Sequence, residues 1–441
     1  MEKIQFDFNK KYGKFKILNA TNGGPWCNRK SDDQLSSNFA DYKAVGFPYS
    51  RNHDSAANGV YGGPYSHDIT AIFPRFEADV NDPGSYDFAC TDEAILVCLD
   101  AGTETFFRLG QTIEHQIKKH GTIPPKDFKK WAEICEHIIR HYNEGWADGF
   151  NLNIRYWEIW NEANLDPDDS DNKRCWGGTT AQFYDFYETA SKHLKKCFPD
   201  LKIGGPAYAG YAPGGNTSWL EEFLKEMQKR NVEIDFLSWH LYEAKPEKIV
   251  KLGEAVKELA IKYGYGEAES ICNEWNYVKG WVKEFIYSVK MIHGLKNAAF
   301  ITAMMSLSQR SSIDMLMYYD TRPSVFNGIF DYYTNEPLKG YYPMLWYSNF
   351  YKLENEIRQI NEVENIYSLC GVDKDGKITA MLTYYTDDDN AENKKILVDL
   401  PTDREYEVFL LDNAHEGKES VLKNTLEFDL EVHSCVLIKE K

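Results

Sequence analysis

The chain has 441 residues, enough for two domains or one large domain with an appendage, and 43% of them are hydrophobic, so a sizeable core can form. A net charge of −18, spread along the chain, would repel phosphate backbones and argues against nucleic acid as a partner. The nine cysteines include no C-x-x-C pair, which argues against a zinc knuckle or a disulfide framework, and no apolar run is long enough to span a membrane.

The opening MEKIQFDFNKKYGKF lacks the apolar core of a signal peptide, so a cytoplasmic location is expected. Within it, IQFDF alternates like a strand. The first long candidate strand, KFKILNA (14–20), runs into NATNGGPW, which lacks the Gly-rich phosphate turn of a doubly wound sheet. KAVGFPYSR (43–51) and TETFFRLG (103–110) follow. Residues 127–143 then place Phe128, Trp131, Ile134, Cys135, Ile138 and Tyr142 on one helical face. On the same helix His137 and His141 are four apart, but HIIRH lacks the acid of the zinc motif H-E-x-x-H.

RYWEIWNE (155–162) is the fourth strand, followed by an amphipathic helix over 181–197 and by LKIGGP (201–206). Ser218 and Glu221 have capping-box spacing ahead of Leu220, Phe223, Leu224 and Met227. The sequon Asn216-Thr217-Ser218 has no consequence in a cytoplasmic chain. IDFLSWHLY (234–242), a helix closed by Gly264, and SICNEWN (270–276) come next. A long helix is expected over roughly 281–307, the eighth strand is IDMLMYY (313–319), and a further helix spans roughly 340–353. Eight strand–helix units predict a (β/α)8 TIM barrel over 15–355. From 356 to 441 short alternating strands without helices predict a β-sandwich, which residues 1–14 are expected to join.

In such a barrel function sits at the C-terminal ends of the strands. Those ends carry Arg51, His53, Asp54, Arg108, Asn161, Glu162, His240, Tyr242, Glu274, Tyr318, Tyr319 and Asp320. Glu162 ends the fourth strand and Glu274 the seventh, so the two can face each other across the barrel mouth. Two opposed carboxylates are what cleavage of a glycosidic bond needs, one protonated and one ionised. A retaining pair requires carboxyl groups about 5–5.5 Å apart, whereas more than about 6.5 Å favours inversion. Alternation places Asn161 and Glu162 on opposite faces of a strand, so both reach one pocket only where the strand stops or bulges. Trp157 and Trp160 offer the apolar surroundings that keep a carboxyl protonated. Glu158 and Arg108 read as a charge pair inside the barrel, and Trp176 as either a stacking platform for a leaving group or a core residue.

W-E-I-W-N-E on the fourth strand and N-E-W-N on the seventh resemble clan A glycoside hydrolases, and in particular family 39, the group of β-xylosidases and α-L-iduronidases. SRNHD (50–54), SYDFACTDEAI (85–95), the stretch 175–207, DFLSWHLY (235–242) and CNEWN (272–276) carry the same resemblance. It implies a retaining exo-glycosidase cleaving short oligosaccharides; separately, the chain has no Walker loop, G-x-S-x-G elbow or cofactor signature, so no cofactor and no metal are expected. Glu162 would be the acid/base and Glu274 the nucleophile. Asn161 would bind the hydroxyl beside the anomeric carbon, Arg51 would hold the nucleophile ionised, and His53, His240 and Tyr242 would line the sugar site, with Asp54 beside them. Many members place a Trp at the end of strand eight; here the strand reads MLMYYD, so Tyr318 or Tyr319 would take that place. The loop SAANGVYGGPYSHD (55–68) would set substrate choice. An endo-acting clan A glycanase and a non-catalytic sugar-binding barrel are the alternative readings, and the sequence leaves homo-oligomerisation open.

Overall fold

The computed structural model describes residues 1–26, 37–55, 65–210, 217–324 and 326–441. Most of the loop 55–68, and Asn216 of the sequon, lie outside these residues. The chain starts with strand β1 (Glu2–Gln5), and eight parallel strands then close into a barrel. They are β2 (Ile17–Asn22), β3 (Tyr49–Arg51), β4 (Glu104–Leu109), β5 (Tyr156–Ile159), β6 (Lys202–Ala209), β7 (Phe236–Tyr242), β8 (Glu269–Asn276) and β9 (Met315–Tyr318). They pair in sequence order, and β9 returns to β2.

Period-two alternation sorts the side chains. Outward residues such as Phe107, Leu109, Trp157 and Ile159 join the large core beneath the helices. Inward residues build layers. Tyr49, Phe106, Tyr156 and Phe236 belong to an apolar floor, in which the Phe106 ring lies 5.1 Å from Tyr156 and 5.2 Å from Phe236. Two residues further along the same strands stand Arg51, Arg108 and Glu158, all buried. The barrel therefore changes from aromatic to charged in one step toward its C-terminal mouth.

Several expectations shift. Lys43–Val45 belong to a helix, Phe39–Val45, closed by Gly46 in the left-handed conformation, so the second strand is only three residues long. The long helix over 281–307 is two helices, Phe285–Ile292 and Leu295–Ser308, separated at His293 and Gly294. The helix at 340–353 stops at Tyr347 and resumes as a 3-10 turn, Phe350–Lys352. Ser218 is the first helical residue and not a cap, and Glu221 instead accepts from Lys262 and Tyr263. A capping box does form one helix earlier, between Thr179 and Gln182. Among the described residues no helix is long and apolar enough to cross a membrane.

The C-terminal region contains β10 (Asn355–Glu356), β11 (Ile366–Val372), β12 (Ile378–Tyr384), β13 (Lys394–Asp399), β14 (Tyr406–Leu411), β15 (Glu416–Lys423), β16 (Glu427–Leu430) and β17 (Cys435–Glu440). Six of these make one antiparallel sheet, and β1, β13 and β16 make a second, in which β1 runs parallel to β13. Cys370, Ala380, Leu382, Val436 and Ile438 of the larger sheet face the smaller one in their own apolar core with Ile4, Ile396 and Phe428. The alternate residues Leu369, Met381, Cys435 and Leu437 belong to the core of the barrel. The larger sheet is thus buried on both faces.

Phe106 is wholly buried in the barrel floor, so Phe106→Ala should lower the unfolding free energy by about 3–5 kcal/mol, read from the midpoint shift in urea.

Candidate active site

The fourth barrel strand, β5, ends at Ile159. Beyond it Trp160 (φ 71°) and Glu162 (φ 47°) both take the left-handed conformation, which is uncommon for residues with side chains. Backbone bonds hold this turn: Trp160 donates to the Leu109 carbonyl at 2.7 Å and Glu162 to the Ala207 carbonyl at 3.0 Å. The turn breaks the alternation, and Asn161 and Glu162 both line one cavity. The rings of Trp157 and Trp160 do not shield Glu162. Trp157 stacks on Phe107, and Trp160 packs among Trp131, Trp176 and Phe186 in the layer between barrel and helices.

Glu274 reaches the same cavity from β8, and one of its carboxylate oxygens lies within 4.8 Å of one from Glu162. The two acids have different partners. Glu274 accepts from Arg51 Nη1 at 2.7 Å on one oxygen and from the Tyr242 hydroxyl at 2.8 Å on the other. Glu162 shares a hydrogen bond with His240 Nδ1 at 2.7 Å, and its other oxygen has the Cys175 thiol 4.0 Å away. Burial pushes the Glu162 carboxyl up to about 8, against the pull of Arg51. Burial raises Glu274 as well, but a guanidinium and a hydroxyl donate directly to its two oxygens. Donors to the charged form favour ionisation, so Glu274 is the acid that loses its proton first.

Arg51 is fully buried and spans the polar layer. Besides Glu274 it donates to Glu158 at 2.7 Å, to Asn161 Oδ1 at 2.7 Å and to Asn22 at 3.2 Å. Glu158 therefore pairs with Arg51 and not with Arg108. Arg108 pairs with Asp68 at 2.7 Å and donates to His53 Nδ1 at 3.0 Å. That bond makes Nδ1 an acceptor, so a neutral His53 carries its proton on Nε2. Burial holds His53 well below its usual range and lowers His240 to about 4, so both imidazoles are neutral at pH 7.

The cavity has a volume of about 560 Å³. Of the expected residues, His53, Asp54, Asn161, Glu162, Tyr242, Glu274 and Tyr319 line it. Arg51 and His240 sit behind this lining and act through the two acids. Tyr318 and Trp176 do not reach it. The Tyr318 hydroxyl is engaged by Asn276 and Asn297, because alternation turns the side chain outward from the barrel. Trp176 is buried and donates to the Thr179 carbonyl at 3.0 Å. Ile113, His115, Leu165, Arg174, Trp281 and Phe326 also line the cavity. Their loops carry no periodicity, and only their position after strand ends could have drawn notice.

Among the described residues, two groups of side chains have ligand atoms close enough for a metal ion: Glu162, His240 and Glu274, and Glu136, His193 and Cys197. In the second, Glu136 is already paired with Arg140 at 2.8 Å and with His193 at 2.7 Å. His141 is committed elsewhere, to Asp92 at 3.1 Å and to stacking on Phe88.

Arg51→Met should cost about 3–5 kcal/mol in chemical denaturation, because it leaves Glu158 and Glu274 buried without their counter-ion. A carboxyl whose folded pKa is raised favours folding at low pH and loses that contribution as pH rises through the folded value. Stability should therefore fall between about pH 4.5 and pH 8 as Glu162 is forced to ionise. Glu162→Gln should flatten this slope and melt above wild type at pH 9, in a calorimetric pH series.

The family model described as Glycosyl hydrolases family 39 matches residues 26–279. A β-xylosidase of Geobacillus stearothermophilus is 28% identical over 214 residues, 46% of this chain and 37% of the relative. One of Caldicellulosiruptor saccharolyticus is 29% identical over 212 residues, 45% of this chain and 37% of the relative. The chain thus matches little more than a third of the length of either. The fold is shared with a glucosidase from Croceicoccus marinus, at TM-score 0.79 and 21% identity, covering 100% of this chain and 99% of that one. It is shared too with a monomeric β-xylosidase from Caulobacter crescentus, at TM-score 0.70 and 15% identity, covering 100% and 99%. With more than half of its length matched by the family model, the chain belongs to glycosyl hydrolases family 39.

Proposed function

We propose that the protein is a retaining, exo-acting glycoside hydrolase of β-xylosidase type, working on short glycosides. The observation that carries this reading is that Glu162 and Glu274 line one cavity with an oxygen of each within 4.8 Å of the other, a proximity that suits the short carboxyl separation of retaining enzymes. The names of the two relatives supply the sugar class. A cavity of about 560 Å³ suits a small ligand better than a polymer.

In the first step the Glu274 carboxylate attacks the anomeric carbon while Glu162 gives its proton to the leaving oxygen. The glycosidic bond breaks, its electron pair stays on that oxygen, and an ester joins the sugar to Glu274. In the second step the Glu162 carboxylate takes a proton from water, whose oxygen bonds to the anomeric carbon as the ester breaks. Glu162 is protonated again and the sugar leaves with its original configuration.

The surrounding residues support these roles. Burial keeps Glu162 protonated at neutral pH, and Arg51 and Tyr242 favour the ionised form of Glu274. Asn161 Oδ1 faces Arg51, so its amide N–H groups are free to donate to the hydroxyl on the carbon next to the reacting one. Tyr319 lines the cavity just past the end of the eighth barrel strand.

Glu274→Ala should lower kcat/KM on an aryl β-xyloside by ~10⁴-fold or more. Added azide should then give a glycosyl azide of inverted configuration, identified by NMR. Full activity in this variant would refute the mechanism. On the wild-type enzyme kcat/KM should decline on an alkaline limb near pH 8, as Glu162 loses the proton it must donate.

A further inference from the structure

Asp54 lies on the cavity wall one residue after His53, in the left-handed conformation at φ 56°. Its side chain is nearly buried, and its two oxygens differ. Oδ2 accepts from the Tyr319 hydroxyl at 2.7 Å. Oδ1 is buried and has no hydrogen-bond partner among the described residues. A buried carboxylate oxygen without a donor is costly, and such groups are normally satisfied. His53 Nε2 lies 3.4 Å away. Arg108 fixes that nitrogen as an N–H donor, and it also lies 3.8 Å from Glu274. Among the described residues, an acceptor without a hydrogen bond thus stands beside a donor whose carboxylate neighbours lie 3.4 and 3.8 Å away. A sugar hydroxyl, which donates one hydrogen bond and accepts others, completes both.

Position narrows the choice of hydroxyl. Asp54 follows β3, two strands from β5, which Glu162 follows, and Tyr319 follows β9, across the barrel from β5. A sugar whose anomeric carbon sits between Glu162 and Glu274 extends its far hydroxyls toward Asp54.

Charge narrows the sugar. Among the described residues lining the cavity, Arg174 is the only Lys or Arg, and Asp166 holds it at 2.7 Å. The neighbouring Arg322 is committed to Asp320, to the Asp54 carbonyl and to the Tyr319 hydroxyl. Among the described residues no unpaired Lys or Arg lines the cavity, and a carboxylate on the sugar would meet Asp54 and Glu274 there.

We propose that Asp54, with His53 Nε2–H, is the specificity-determining clamp for a hydroxyl remote from the scissile bond, and that it selects neutral sugars against uronic acids. This rests on the glycosidase reading above. The test pairs Asp54→Asn with deoxy substrates. On p-nitrophenyl β-D-xyloside or β-D-glucoside, whichever the enzyme turns over, Asp54→Asn should reduce kcat/KM by about 10- to 100-fold, as expected for a hydrogen bond to a charged group. The wild type should lose a similar factor on the 3-deoxy or the 4-deoxy analogue, and on that analogue the substitution should cost almost nothing further. Equal losses from Asp54→Asn on the parent and on every deoxy substrate overturn the clamp.

The second arm measures binding by calorimetry. A neutral iminosugar should bind the wild type on the order of 100-fold or more tighter than its C6-carboxylate analogue, and Asp54→Asn should narrow the gap. Equal or tighter binding of the carboxylate, or binding of neither, overturns the proposal even if the variant fails to fold. Selective binding without turnover overturns the hydrolase reading and leaves the clamp standing.

Discussion

One guanidinium organises the mouth of this barrel. Arg51 is fully buried, yet it donates to two carboxylates and two amides contributed by β2, β5 and β8 or the turns that follow them. A buried charge is tolerable only when it is paired and hydrogen-bonded, so the arginine and its partners stand or fall together. Its planar, forked shape matters as much as its charge, since one lysine ammonium could not hold Glu158, Glu274 and Asn161 in three fixed directions. The same contacts divide the labour between the two acids. Glu274 takes the guanidinium directly and Glu162 does not, so burial acts on Glu162 with less relief.

That layer rests on the aromatic floor beneath it. Arg51, Arg108 and Glu158 lie two residues beyond Tyr49, Phe106 and Tyr156 on their strands. The floor excludes water from below and fixes the strands laterally, and the polar groups above have to satisfy one another. Chains of bonds result: Arg108 sets the tautomer of His53, and Asn273 donates to Glu158 at 2.5 Å.

Much of this was legible in the sequence. The eight strands announce themselves as short apolar runs, and Glu162 and Glu274 end two of them. The awkward adjacency of Asn161 and Glu162 pointed to a break in the strand, and the left-handed residues Trp160 and Glu162 are that break. What was not legible depends on lateral placement. Glu158 could be seen to need a cation, and the sequence points to Arg108; that Arg51 holds it instead depends on how far each side chain reaches across the barrel. The alternation that puts Met317 inside turns Tyr318 outward, so of two adjacent tyrosines only Tyr319, past the strand's end, reaches the cavity. Trp176 gave no sign of its burial, because a loop tryptophan reads alike over a core or over a ligand. Ile113, Trp281 and Phe326 come from irregular segments, where neither period offers a guide.

The larger C-terminal sheet has apolar residues on both sides, one set shared with β1, β13 and β16 and the other with the barrel's helices. Such a sheet is a shared wall and not a detachable module. Excising it would strip an oily panel off the barrel and take Cys435 away from Thr302. Evolution could decorate the loops at the opposite rim freely, but could not shuffle this partition in or out without rebuilding the surface it leans on.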